Sequence, residues 1–272
     1  MMLDLEQLDR ELACSLDGVF TDIDDTLTTD GHLRAAAYCA LEQLQASGLK
    51  VIPVTGRPAG WCDHFARMWP VNAIVGENGA FYFRYDHLER KMYKRYLDDP
   101  VQLKSNRVRL DALGTTILEQ VPGAALSADQ AYRDTDLAID FCEDVPALDP
   151  GAVARIVALF EAAGASAKIS SIHVNGWFGD YDKLSMTRIL MSECYQIDLD
   201  ANRNRYLFVG DSPNDAPMFD YFPFAVGVAN VHDCADAIDS LPRFVTKASG
   251  GDGFVELSKR LLFLRSRSAL QI

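Results

Sequence analysis

The chain has no apolar run near the roughly 18–20 residues that a membrane-spanning helix requires, so no span is expected. Met1 to Glu11 carries Asp4, Glu6, Asp9 and Glu11 and no apolar stretch, which does not read as a secretory signal. A Cys-x-x-Cys pair is absent. The six cysteines (Cys14, Cys39, Cys62, Cys142, Cys194, Cys234) are scattered, without paired Cys/His spacing. A zinc site or a disulfide framework is therefore not expected, and reduced cysteines in a cytoplasmic protein fit best. A dense Lys/Arg run is also missing. The richest stretch, Arg84 to Arg95, is interleaved with Asp86, Glu89 and aromatics and reads as a solvated strand face. With 39 acidic against 26 basic residues and a net charge of -13, the surface repels nucleic acid and anionic membrane. Neither is expected as a partner. There is no internal repeat and no low-complexity tract.

What is present is an alternation of short apolar runs with helical spacing. Leu16–Ile23 reads as a buried strand running into acidic residues. Leu33–Ser47 carries Leu33, Ala36, Ala37, Ala40, Leu41 and Leu44 at helical spacing, with Gly48 placed as a C-cap. Leu49–Val54 reads as a second strand, Pro58 as the first residue of a helix to Met68, and Ala73–Val75 as a third strand. Strand and helix in alternation predict a mostly parallel, right-handed α/β sheet. After Glu77-Asn78-Gly79 the pattern changes. Phe81–Tyr96 reads as an antiparallel hairpin, followed by a helix over 101–120, a strand over 137–142, a helix over 150–163 and a strand over 167–174. From Lys183 the first pattern resumes, with strands over 206–209, 225–228 and 244–246, helices over 183–194, 218–221 and 231–238, and a closing helix over 253–264. The expected fold is α/β: a Rossmann-like, mostly parallel sheet with helices on both faces, plus an inserted α+β cap domain. Residues 1–81 and 181–272 form the expected core and 82–180 the expected cap.

The strand ends present polar groups: Asp22 and Asp24 after the first, Thr55 after the second, Asp211 and Asp215 after the fourth core strand. Open α/β sheets bind ligands at the carboxyl ends of their strands. Residues two apart in extended backbone point the same way, so Asp22 and Asp24 share a crevice with Asp211 and Asp215. Unpaired, four carboxylates there would be costly and their pKa values would rise. A hard divalent cation removes that cost, and magnesium is the usual partner of carboxylates plus a phosphate. Lys183 and Thr55 supply a cation and a hydroxyl donor suited to phosphoryl oxygens. Each feature has a plainer reading as well: Thr55-Gly56-Arg57-Pro58 as a turn with a capping hydroxyl, Lys183 as a solvated lysine. The joint order carries the argument.

That order resembles the haloacid dehalogenase superfamily of aspartate-dependent phosphotransferases. The family pattern is D-x-D-x-T, then a Ser/Thr, a Lys and an acidic motif. Here these stand as Asp22-Ile23-Asp24-Asp25-Thr26, Thr55, Lys183 and Gly210-Asp211-Ser212-Pro213-Asn214-Asp215. The cap-like segment between Asn78 and Lys183 resembles subfamily IIB, of the Cof, sucrose-phosphatase and mannosyl-phosphoglycerate-phosphatase kind. Glu77-Asn78-Gly79-Ala80, Gly227-Val228-Ala229-Asn230 and Gly251-Asp252-Gly253-Phe254 look similar to that subclass too.

The resemblance implies a magnesium-dependent phosphatase acting on a small phosphorylated metabolite, with a sugar phosphate as the expected substrate. Asp22 would be the nucleophile and Asp24 the acid/base. Magnesium would be held by Asp22, the Asp24 backbone carbonyl and Asp211, with Asp215 in support. Thr55, Gly56, Lys183 and Asn214 would surround the phosphoryl group. Arg57 either contacts substrate or pairs with a core carboxylate. Alternation places His173 and Asn175 on one face of a cap strand, where they could read the leaving group, although a lone strand histidine is more often structural. The Asp24 position argues against carbon–halogen cleavage, which needs no second acid/base aspartate. A phosphomutase of the same fold, or a non-catalytic phosphate-binding module, are the alternatives.

Overall fold

The computed structural model describes residues 2–170 and 172–266. In chain order the elements are β1 (Leu3–Asp4), α1 (Arg10–Ser15), β2 (Gly18–Thr21), α2 (Ala35–Ala46), β3 (Lys50–Pro53), α3 (Ala59–Met68), β4 (Ile74–Gly76), β5 (Phe81–Asp86), β6 (Lys91–Tyr96), α4 (Pro100–Gln120), β7 (Ala125–Leu126), β8 (Leu137–Asp140), α5 (Pro150–Ala162), β9 (Ser166–Ile169), β10 (His173–Trp177), α6 (Lys183–Tyr195), α7 (Leu199–Asn202), β11 (Tyr206–Gly210), α8 (Ala216–Tyr221), β12 (Val226–Gly227), β13 (Phe244–Val245) and α9 (Gly250–Ser266).

Six strands form one parallel sheet in the order β1-β13-β12-β11-β2-β3. Its central strands are apolar on both sides, as a sheet covered on both faces demands. The alternation decides which helices each residue meets. Val19, Val51, Leu207 and Val209 join Leu41, Leu44, Phe254 and Leu257 of α2 and α9 on one face. Phe20, Ile52, Tyr206 and Phe208 join Met186, Leu190 and Met218 of α6 and α8 on the other. The α/β core with helices on both faces is thus as the sequence predicts.

A bridge between Val54 and Val75 carries the core sheet on to β4, which continues as an antiparallel trio β4-β5-β6. Phe81, Phe83 and Tyr96 of that hairpin pack on the main core. Residue 82 lies inside β5, so the hairpin that opens the stretch 82–180 contributes to the main core. The cap proper is a four-stranded antiparallel sheet, β7-β8-β10-β9, under α4 and α5. It has its own core of Leu110, Ile117, Ile139, Ile156, Phe160 and Val174. Both cap helices start on an aspartate N-cap followed by proline, Asp99-Pro100 and Asp149-Pro150.

Three expectations change. The single strand over 167–174 is a hairpin of β9 and β10. Ser171, within that stretch, lies outside the described residues. Pro58 is the N-cap of α3 rather than its first helical residue. The helix expected over 231–238 is a run of 3-10 turns from Ala229 to Ala237. Among the described residues, no helix is long and apolar enough to cross a membrane.

Candidate active site

Strands β2 and β11 are neighbours, with Val209 opposite Thr21. Beyond β2 the chain returns to β3 on one side while β11 lies on the other, so a crevice opens at their carboxyl ends. Asp22 and Asp24 leave β2 into it, and Asp211, Ser212 and Asn214 leave β11. Gly56 and Arg57 follow β3 and Asn78 follows β4. From the cap come Arg133, Lys168, Ser170, Ile172, His173 and Asn175. Together these residues line one narrow cavity of about 40 Å³ between core and cap.

Beneath it lies a buried charge cluster. Carboxylate oxygens of Asp22, Asp211 and Asp215 lie within 4.8 Å of one another. Lys183, the first residue of α6, reaches up from below. Its Nζ donates to Asp22 Oδ1 at 2.8 Å and to Asp215 Oδ1 at 2.7 Å, and lies 3.4 Å from Asn214 Oδ1. Burial alone would lower the lysine pKa, but Asp215 and Asp22 override it and hold the ammonium above its ordinary range. Asp215 Oδ2 accepts the N–H groups of Asp211 and Ser212 at 3.0 and 3.3 Å, so both its oxygens are engaged. Asp211 accepts from Thr26 Oγ1 at 2.7 Å and from Asn230 Nδ2 at 2.9 Å.

One lysine does not neutralise this cluster. Burial pushes the Asp22 carboxyl up to about 7; Lys183 pulls it back, and Asp215 and Asp24 push it further up. Burial, Asp22 and Asp215 together raise Asp211 well above the carboxylate range. Buried hard oxygen donors with excess negative charge are what a divalent cation stabilises. The residues present therefore fit such an ion, and Asp22 and Asp211 retain the lone pairs to hold it.

Asp24 is held separately. Arg57 Nε donates to its Oδ1 and Oδ2 at 2.9 and 3.0 Å, and Nη2 donates to Oδ1 at 2.6 Å. Of the two uses open to Arg57, the core carboxylate is the one it makes here. The guanidinium also stacks 4.5 Å over the Trp61 ring, and its Nη1 lies 3.9 Å from Asp129 of the cap. Thr55 is fully buried. Its Oγ1 accepts the Arg57 N–H at 3.1 Å, which leaves its own O–H as a donor. Gly56 is tight against the Asn78 side chain, where a Cβ would lie 3.1 Å from Oδ1.

The cap side has a network the motifs did not announce. Arg133 clamps Asp129 with Nε and Nη2 at 2.9 and 3.2 Å. Its Nη1 contacts both oxygens of Asp136 at 3.1 and 3.0 Å and donates to the Gly56 carbonyl of the core at 3.1 Å. Asp136 in turn accepts from Asn175 Nδ2 at 3.0 Å. His173 Nε2 lies 2.8 Å from Glu143 Oε2 but outside hydrogen-bonding geometry. Burial and Arg133 push its pKa below the ordinary value against the pull of Glu143.

Glu77 ties the two sides together. It is fully buried, and its Oε1 accepts from Ala59 N at 2.8 Å and Asp134 N at 2.9 Å. Its Oε2 accepts from Thr135 N at 2.6 Å, Asp136 N at 3.2 Å and the Thr135 hydroxyl. The Glu77-Asn78-Gly79 motif flagged this residue in sequence. Its reach into the cap loop had no sequence signal.

The sequence model of haloacid dehalogenase-like hydrolases matches residues 19–106. The chain is 27% identical over 245 residues to a phosphoglycolate phosphatase of Haloarcula marismortui, covering 88% of this chain and 94% of that protein. It is 24% identical to a phosphoglycolate phosphatase of Methanothrix thermoacetophila, covering 89% and 95%. Among solved structures, a Thermoplasma acidophilum protein superposes with a TM-score of 0.69 at 19% identity, covering 90% of this chain and 98% of that one. The sucrose-phosphatase of Synechocystis, solved with sucrose and phosphate, superposes with a TM-score of 0.61 at 16% identity, covering 90% and 98%.

Proposed function

We propose that this chain, which belongs to the haloacid dehalogenase-like hydrolases, is a magnesium-dependent phosphatase working through an aspartyl-phosphate. The observation that carries the reading is the buried trio of Asp22, Asp211 and Asp215 over Lys183, with Asp24 two residues from the first of them. Asp22 attacks phosphorus in line and the leaving oxygen departs. Asp24 gives that oxygen its proton, then takes one from the water that hydrolyses the intermediate. Lys183 and the Thr55 hydroxyl hold phosphoryl oxygens, while Arg57 holds Asp24 at the edge of the crevice. Asp22, the Asp24 carbonyl and Asp211 would hold magnesium, with Asp215 fixing Lys183 and the backbone of the acidic turn behind them. When bound, the ion supplies positive charge against the phosphoryl oxygens and the carboxylates.

The substrate is a small phosphorylated metabolite. Sugar phosphates and phosphoglycolate are the two classes suggested by the names of similar proteins, so both belong in the test. Phosphate release from such a panel is measured with magnesium and with chelator. Turnover that requires the metal and disappears in Asp22→Asn, with the cooperative unfolding of the variant retained, is the expected result. Wild-type turnover by Asp22→Asn would sink the assignment of the nucleophile.

A further inference from the structure

Strand β9 pairs with β10 so that Lys168 stands directly opposite Asn175. Directly opposed residues of an antiparallel pair lie on one face, and residues two apart along a strand share it. Lys168, Ser170, His173 and Asn175 thus form one polar face of the cap sheet, and all four line the cavity over Asp22. The opposite face, with Val174 and Ile139, fills the cap core.

The cations around that cavity differ in their commitments. Lys183 lies between Asp22 and Asp215. Arg57 is bound to Asp24 and Arg133 to Asp129 and Asp136. Burial lowers the His173 pKa below its ordinary value, and its Nε2 faces Glu143. Lys168 has no ion-pair partner among the described residues and is exposed. The narrow cavity opens beside a larger one of about 880 Å³, rimmed by Asp25, Asp30, Asp233 and Asp239. Lys168 lines both spaces and is the only basic residue among the described residues lining the larger one. An anionic group on the leaving side of the substrate is repelled by that acidic rim and drawn to a single point. A neutral sugar needs no cation there.

We infer that Lys168 reads a second anionic group on the leaving group, making the preferred substrate a phosphomonoester of a short hydroxy acid. This deepens the phosphatase reading above and rests on it. Lys168 acts on binding and takes no part in the chemistry at phosphorus.

The test compares 2-phosphoglycolate with 2-hydroxyethyl phosphate, which differ by a carboxylate against a hydroxymethyl group. Glucose 6-phosphate and p-nitrophenyl phosphate complete the set, all with magnesium. Wild type is expected to favour phosphoglycolate over hydroxyethyl phosphate by about 10–100-fold in kcat/KM, the range of one charge-assisted contact. Lys168→Met, which keeps the aliphatic stem, should collapse that ratio mainly through KM. Lys168→Arg should retain most of it. If Lys168→Met lowers both rates in equal proportion, the lysine serves the phosphoryl group and the inference is overturned. A wild-type preference for glucose 6-phosphate overturns it too. Either result leaves the phosphatase reading standing, whereas no phosphate release even from p-nitrophenyl phosphate removes that reading itself.

Discussion

Replacing Glu77 by glutamine should destabilise the protein more at pH 5 than at pH 8. The carboxylate is fully buried and accepts only donors: four backbone N–H groups and the Thr135 hydroxyl. An amide offers one acceptor oxygen. If its NH2 replaces Oε1, the N–H groups of Ala59 and Asp134 lose their acceptor. If it replaces Oε2, those of Thr135 and Asp136 do. Each buried donor left without a partner costs about 1–3 kcal/mol, so Glu77→Gln loses about 2–6 kcal/mol on this account. Against that stands the charge. Burial, helped by Asp136, pushes Glu77 from its ordinary 4.5 up to about 7, despite the donors that pull it down. The folded wild type therefore binds this proton more tightly than the unfolded chain. Its stability from this group is fully present below pH 4.5 and declines as pH rises through about 7. The loss above that pH amounts to about 3 kcal/mol. The glutamine variant has no such dependence. The Tm gap between the two proteins should thus be widest near pH 5 and narrow by pH 8, at about 2–4 °C per kcal/mol for a chain approaching this size. Thermal unfolding followed by circular dichroism at the two pH values reads it directly. A gap that is constant, or wider at pH 8, would refute the reasoning.

Thr26→Val keeps the shape of the side chain but removes the 2.7 Å hydrogen bond to Asp211. Loss of a partner that orients a metal ligand weakens metal affinity by about 10–100-fold. The magnesium concentration for half-maximal activity should rise accordingly, and an unchanged value would count against Asp211 as a ligand. Gly79→Ala places a methyl 1.9 Å from the Asp182 carbonyl oxygen, at a φ of +107° that side chains avoid. Because Asp182 caps the helix that starts at Lys183, a loss of about 2–5 kcal/mol should come with a fall in kcat. Chemical denaturation with an unshifted midpoint would show that this contact relaxes freely.

The core was legible because each of its parts stands at the end of an element with its own local signature. Asp22 follows an apolar run, Lys183 follows an aspartate cap, and Asp215 sits in a tight turn between strand and helix. Lys168 was not legible, since its place in the cavity follows from its pairing with Asn175 across a turn without Gly, Pro or Asn. Arg133, Asp129 and Asp136 were missed for a related reason. They come from an irregular stretch of the cap, where no periodicity fixes direction, and their meaning lies in a contact with Gly56 far away in sequence. The hairpin Phe81–Tyr96 is legible as a hairpin, but its aromatics could serve either sheet. Only the register of β5 on β4 decides that they serve the main core.

The seam at Gly56 and Glu77 is closed by hydrogen bonds, with Arg133 donating to one side and residues 134–136 to the other. Heat capacity changes on opening a contact come chiefly from newly wetted apolar surface. A parting of the two sheets there wets mostly amide and carboxylate groups, so its enthalpy changes little with temperature. Its van't Hoff plot should run nearly straight while that of global unfolding bends. The balance between parted and closed cap would then shift with temperature at one constant enthalpy, without the curvature that bounds global stability from both sides.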